Sequence, residues 1–160
     1  MPNPTPAPPD NTPAGRLAEA KLYGVIGYQL AQASITAGRV FKTQVGDVFD
    51  LRPVEYTILT LVNENPGGSS ARLAQALAVT APNITMWIDR LVKRGLVQRR
   101  PSTTDRRSQH LQVTAEGERI AAVATQRLLD GEQAAFEHLS LGERSILVEL
   151  LHKVARRRKS

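Results

Sequence analysis

The chain contains no cysteine. Disulfides, thiolate metal sites, iron–sulfur clusters and a thiol redox switch are therefore excluded. The three histidines, His110, His138 and His152, are isolated from one another, and none has a metal-ligand spacing such as HxxxH. No metal and no cofactor is expected. Aromatic residues are few, with three Phe, three Tyr and one Trp, which favours a helical protein rich in Ala, Leu and Val. No apolar run approaches the ~20 residues that span a bilayer, and Pro2 to Pro13 lacks the apolar centre of a signal peptide. The expectation is a cytoplasmic protein without a membrane partner. No G-x-S-x-G, P-loop or dinucleotide fingerprint is present, nor any cluster of nucleophile, base and acid, so enzymatic activity is not expected. Acidic residues are outnumbered, 15 against 21 basic ones, for a formal net charge of +6. That balance calls for an anionic partner, either nucleic acid or an anionic membrane surface.

What is present is helical periodicity with clear punctuation. Residues 1–13 hold six of the ten prolines and read as a disordered or polyproline-like tail, so the tail is drawn at 1–14. From about Gly15 to Val48, apolar residues recur at helical spacing, from Leu17 and Leu22 through Leu30 and Ile35 to Val45 and Val48. One long helix is expected there, bent near Gly38. Leu51-Arg52-Pro53 marks a boundary, and Pro53 suits the first position of a helix running to about Asn63. Asn65-Pro66-Gly67-Gly68 is a turn. Ser69 or Ser70 is placed to cap a short helix, Ala71 to Leu77, and Thr80 to cap the next, Ala81 to Arg94. Gly95 suits a left-handed stop.

Leu96 to Arg100 and Gln109 to Val113 read as the strands of a hairpin. Thr114 is placed to cap a long helix to about His138. Ser140-Leu141-Gly142-Glu143 is a capping box. It opens a last helix with Ile146, Leu147, Leu150, Leu151 and Val154 on one face. Between Asp89 and Arg107 lie seven basic residues, Arg90, Lys93, Arg94, Arg99, Arg100, Arg106 and Arg107, against Asp89 and Asp105 alone. This window carries a net +5 of the chain's +6. A helix and a neighbouring hairpin that concentrate positive charge suit a grip on DNA groove and backbone.

Several short motifs occur in order: Leu51-Arg52-Pro53, Leu73-Ala74-Gln75-Ala76-Leu77, Leu91-Val92-Lys93-Arg94-Gly95-Leu96-Val97, Asp105-Arg106-Arg107, and Leu111 to Gly117. With them the chain, over roughly residues 20–155, resembles the MarR family of winged helix-turn-helix transcription regulators. The resemblance implies a mainly α fold with a small β-hairpin wing, built as a winged helix-turn-helix plus a helical dimerisation region. It divides the chain into an N-terminal dimerisation helix (15–50), a DNA-binding lobe (51–114) and C-terminal dimerisation helices (115–157). The Gly27-Tyr28 to Ala33 stretch is similar to a subgroup that often controls aromatic-compound catabolism. Two departures stand out. Arg52 occupies a place where a capping Ser or Thr is common. Met86 and Trp87 stand in the recognition helix where a small or polar residue and an aliphatic one are more usual, so the base preference of relatives does not carry over.

On a helix from Ala81 to Arg94, Ile84, Ile88 and Leu91 share one face and should anchor it to the core, with Trp87 at its border. The opposite face offers Pro82, Asn83, Thr85, Met86, Arg90 and Lys93. Asn83 has the groups to pair with adenine, Thr85 or Met86 to touch a thymine methyl, and Arg90 to reach guanine or phosphate. The plainer alternative is a solvated polar face. Arg99 and Arg100 alternate sides of a strand, so one of them, taken as Arg99, is expected to face DNA. The resemblance gives Asp105 the job of orienting an arginine, while Arg106 and Arg107 meet the minor groove and phosphate. The small residues Gly24, Gly27, Ala31, Ser34 and Gly38 fall on one helical face, where they either admit another helix or leave room for a ligand. Similar proteins hold small aromatic acids between this helix and the DNA-binding lobe. That implies an aromatic carboxylate or phenolic ligand beside Tyr28 and Tyr56, its charge met by Arg39.

The reading that follows is a homodimeric repressor that binds double-stranded DNA and is released by such a ligand. A ligand-independent architectural or constitutive DNA binder is the alternative. A winged-helix protein-interaction module would leave the charge concentration without a purpose.

Overall fold

In a computed structural model of the chain, described for residues 11–101 and 109–157, the contacts separate two compact units, one up to Arg39 and one from Val40. In the first unit residues 11–25 form turns and an isolated Asn11–Ala18 bridge, with Gly15 and Arg16 at positive φ. Helix α1 begins only at Ile26 and runs to Phe41. The helix expected from Gly15 therefore starts eleven residues later, and Gly24 lies in the turn before it. Interior glycines cost about 1 kcal/mol each in a helix, and the turn bonds from Leu22 and Tyr23 N–H to the Glu19 carbonyl occupy the backbone instead.

The bend is displaced as well. The helix passes Gly38 without interruption and changes to a π-helical turn at Lys42–Gly46, followed by the short α2, Asp47–Phe49. Asp50 is left-handed, with φ 50°, and ends the segment. The π turn is held from helix α6 (Ala115–Ala135). Arg127 Nε donates to the Gln44 carbonyl at 2.9 Å, and a Cβ on Gly131 would come within 2.6 Å of Gln44 Cγ. Both contacts fall on Gln44, within the π turn itself.

Helix α3, Pro53–Glu64, starts as expected at Pro53, after an extended Arg52. Arginine has no acceptor to offer as a cap. Glu55 supplies the other half, its Oε2 accepting the Arg52 N–H at 2.9 Å. The turn at residues 65–68 places Gly67 at φ 82° and pairs with the hairpin: Gly67 N–H donates to the Leu111 carbonyl, and Leu111 N–H to the Gly68 carbonyl. Helix α4, Ser70–Leu77, is capped by Ser69, whose hydroxyl accepts the Arg72 N–H. A left-handed Ala78 turns the chain into α5, Ala81–Lys93. Thr80 sits at the N-cap with extended backbone but makes no side-chain capping bond, contrary to expectation. Gly95 (φ 68°) closes the helix as expected.

Strands β1 (Val97–Pro101) and β2 (Gln109–Val113) are antiparallel, with Val97 opposite Val113 and Pro101 opposite Gln109. Thr114 caps α6 by accepting the Gly117 N–H at 3.0 Å and donates to the Gly95 carbonyl at 2.7 Å. The capping box Ser140/Glu143 opens α7, Leu141–Ala155. The core of the second unit gathers Val45, Ile58, Leu59, Ile84, Ile88, Leu91, Val97, Leu111 and Ala124. It joins α3, α5, the hairpin and the first half of α6 into one lobe. Helix α7 buries none of its residues. Among the described residues, no helix is long and apolar enough to cross a membrane.

Candidate nucleic-acid interface

Helix α5 is the second helix of a helix–turn–helix formed with α4, and β1 follows it immediately. Ile84, Ile88 and Leu91 are fully buried and Trp87 packs against them at the border. The helix is thereby anchored along one stripe, as its periodicity predicts. Pro82, Asn83, Thr85, Met86, Asp89 and Lys93 are exposed on the other side. Thr85 donates its hydroxyl proton to the Ala81 carbonyl at 2.9 Å. The methyl and the remaining lone pairs are what Thr85 offers outward. The first-turn amides of Ala81 and Asn83 have no capping side chain, so the positive end of the helix dipole is open to an anion.

The basic residues of this region divide into two groups. Arg94 Nη1 and Nη2 donate to the carbonyls of Asp50 and Phe49, each at 2.6 Å. This arginine fastens α5 to the corner between α2 and α3. Arg90 Nε lies 3.0 Å from Oε1 of Glu55, a carboxylate only 1% exposed, while the Arg90 side chain itself is 40% exposed. Arg99 Nη2 lies 2.5 Å from Asp89 Oδ1, joining β1 to the exposed side of α5. Lys93 and Arg100 are exposed and make no ion pair among the described residues. Arg99 is the strand arginine tied to the helix, while Arg100 is turned to solvent. Asp105, Arg106 and Arg107 lie outside the described residues.

Sequence reasoning missed the partners of Arg90 and Arg94. The spacing of four between them puts both on one side of α5. Glu55, three residues after the Arg52 N-cap and beside buried Ile58 and Leu59, was legible as a first-turn glutamate but not as a buried one.

The expected ligand residues are distributed between the units. In the first unit, Gly27, Ala31, Ser34 and Arg39 are exposed on α1, and Ser34 donates to the Ala31 carbonyl. Tyr28 donates its hydroxyl to Glu19 Oε2 at 2.6 Å, and Glu19 is buried. That bond to a carboxylate, with smaller contributions from desolvation and the glutamate's charge, raises the phenol above the ordinary tyrosine range. In the second unit the Tyr56 hydroxyl shares a 2.8 Å hydrogen bond with Thr125, and its ring stands 5.7 Å from that of Phe41.

Known proteins match this arrangement. The MarR family model matches residues 51–109. A Thauera aromatica protein described as a transcriptional regulator for the hcr operon is 30% identical over 148 residues, 92% of this chain and 89% of its own. The transcriptional repressor CouR, solved bound to a 23-mer DNA duplex, aligns with a TM-score of 0.79 and 31% identity, over 87% of this chain and 98% of its own. BpsR of Bordetella bronchiseptica, whose DNA binding is regulated by 6-hydroxynicotinic acid, shares the fold at a TM-score of 0.75 and 21% identity, over 84% of this chain and 96% of its own. The chain belongs to the MarR family and is a DNA-binding transcriptional regulator of that type.

Proposed function

We propose that this regulator is a cytoplasmic homodimeric repressor that holds a near-palindromic operator and releases it when a small aromatic carboxylate or phenolic ligand binds. The observation that carries the DNA half is the exposed stripe of α5, Pro82, Asn83, Thr85, Met86 and Lys93, on a helix whose opposite stripe is locked in the core. In this reading α5 enters the major groove, Arg99 approaches the backbone from the wing, and Asp105 orients Arg106 or Arg107 so that one meets the minor groove and the other phosphate. Dimerisation has support in α7, where Leu147, Leu150, Leu151 and Val154 are between 41% and 52% exposed. Apolar surface of that extent on one helix calls for a partner, and a symmetric dimer is the commonest solution. In such a dimer residues 15–50 and 115–157 supply the interface and 51–114 the DNA-binding lobe.

The ligand half rests on the resemblance, which implies Gly24, Gly27, Tyr28, Ala31, Ser34, Arg39 and Tyr56 as contacting residues, and on the exposed small residues Gly27, Ala31 and Ser34 of α1. The 6-hydroxynicotinic acid of BpsR is that protein's ligand, and the likeness to it is one of fold. The engagement of the Tyr28 and Tyr56 hydroxyls with Glu19 and Thr125 favours a second reading, a DNA binder that needs no ligand. Titrating a panel of benzoic, cinnamic and nicotinic acids and phenols into the protein bound to its own upstream DNA separates the two. Release by one class, altered in Gly27→Leu while light scattering still shows a dimer, supports the repressor reading. No release across the panel, with DNA binding intact, leaves the ligand-independent reading.

A further inference from the structure

We propose that Glu55 is a positioning residue for base recognition: by holding Arg90 through Nε, it aims the Nη1–Nη2 edge of that arginine at a guanine in the operator. The proposal rests on the reading of α5 as the recognition helix and goes beyond it by assigning a buried residue of α3 a part in specificity.

Glu55 is a charged side chain enclosed in the core, and a buried carboxylate is retained only where partners compensate its desolvation. Its Oε2 is used by the Arg52 N–H at the start of α3. Its Oε1 has no directed hydrogen bond, only the ionic contact to Arg90 Nε at 3.0 Å. This is a costly arrangement for a helix cap alone, since a first-turn glutamate performs that task equally well at the surface. The arginine differs from its partner in being only partly enclosed. No other ion pair or hydrogen bond to its guanidinium occurs among the described residues. The ion pair fixes the Nε side of the guanidinium beside Glu55, and the Nη1–Nη2 edge is the one that matches guanine O6 and N7 in a bidentate pair. On the helix Arg90 stands one turn from Met86 and two from Asn83. At about 100° per residue it lies within about 40° of either around the axis, and both are exposed. An arginine on a long flexible stem loses rotamer freedom when it reads a base, and an anchor set before binding reduces that loss.

The experiment uses the full-length protein and the duplex it protects in footprinting of its own upstream DNA. Each guanine of the protected half-site is replaced in turn by 7-deazaguanine, which lacks the N7 acceptor. Wild type is expected to lose about tenfold in affinity at one guanine per half-site. Glu55→Gln keeps an acceptor for the Arg52 N–H but presents a neutral amide to Arg90. It is expected to respond less than twofold at that guanine, and Arg90→Lys, which keeps the charge but not the fork, likewise. In an Arg90→Ala background, Glu55→Gln should change the response no further. A side-chain readout independent of DNA is the ¹⁵Nε chemical shift of Arg90 in the free protein, which should report the ion pair in wild type and move in Glu55→Gln. If Glu55→Gln does not fold, Glu55→Asp, whose shorter side chain withdraws the carboxylate from Arg90, takes its place in both measurements. A wild type insensitive at every guanine, or a Glu55→Gln protein as sensitive as wild type, overturns the proposal while leaving α5 as a DNA-binding helix. Absence of any protected DNA overturns the reading of α5 itself, and an Arg90 Nε shift that is the same in wild type and Glu55→Gln overturns the anchor alone.

Discussion

Arg94 and Asp50 are 44 positions apart, yet Arg94 Nη1 donates to the Asp50 main-chain carbonyl at 2.6 Å while Nη2 takes the neighbouring Phe49 carbonyl. The last turn of α5 is thereby fastened to the left-handed corner that follows the π turn. A guanidinium occupied in this way is a structural tie, although its charge stands within the basic window from Asp89 to Arg107. The two roles have different signatures.

Arg94→Ala should lower stability by about 2 kcal/mol, the scale of charge-assisted hydrogen bonds with modest allowance for their exposure. The dependence of DNA affinity on salt should stay as in wild type, because no phosphate contact is lost. Lys93→Ala should behave oppositely, with wild-type stability and a salt slope shallower by about one. Urea denaturation together with binding isotherms at several salt concentrations checks both. A shallower slope in Arg94→Ala would return that residue to the interface.

The approach of α6 to the helix–wing junction gives a second prediction. A Cβ on Gly117 would overlap the Leu96 main-chain oxygen, which also accepts the Thr114 N–H. Backbone on both sides leaves little room to relax. Gly117→Ala should therefore destabilise the lobe by about 3 kcal/mol, the upper part of the range for overpacking. Gly142→Ala, where a Cβ meets nothing within 4 Å, should leave stability close to wild type. Thermal melts of the two variants side by side provide the comparison.

Acid sensitivity should include a contribution from the start of α7. The Ser140 backbone N–H, then its hydroxyl, and to a smaller extent His138, hold the Glu143 carboxyl below the ordinary glutamate range. A carboxyl with a lowered folded pKa adds stability that is fully present above the unfolded value, about 4.3. That stability is lost as pH falls through the lowered folded value. Glu143→Gln should be less stable than wild type near neutrality, and the gap should close on acidification below about pH 4. Melting curves over that range, with a gap that stayed constant, would assign the residue a role unrelated to its charge.

The elements legible in the sequence are those whose signals are local. Ile84, Ile88 and Leu91 announce α5 and its buried face, Gly95 its end, and Ser140 with Glu143 the start of α7. What was not legible depends on distant partners. The π turn at Lys42–Gly46 depends on Arg127, 83 positions away, so the bend could not be placed from the apolar pattern of residues 15–48. Thr80 has the right type and position for a cap, yet its hydroxyl makes no capping bond. The basic window was visible as charge, but charge alone does not say which arginines are spent inside the fold. Arg94 and Arg90 are engaged by Asp50, Phe49 and Glu55, each more than 30 positions earlier in the chain than the arginine it holds.

If the exposed stripe of α5 reads bases, changes on that stripe must alter base preference. The decisive measurement is the affinity of wild type, Asn83→Ala and Thr85→Ala for the protected duplex and for every single base-pair variant of one half-site. Each variant protein should lose discrimination at one or two adjacent base pairs, by about tenfold, and keep the wild-type pattern elsewhere. An unchanged pattern of base preference in both variants, with affinity altered uniformly or not at all, would contradict base reading by α5.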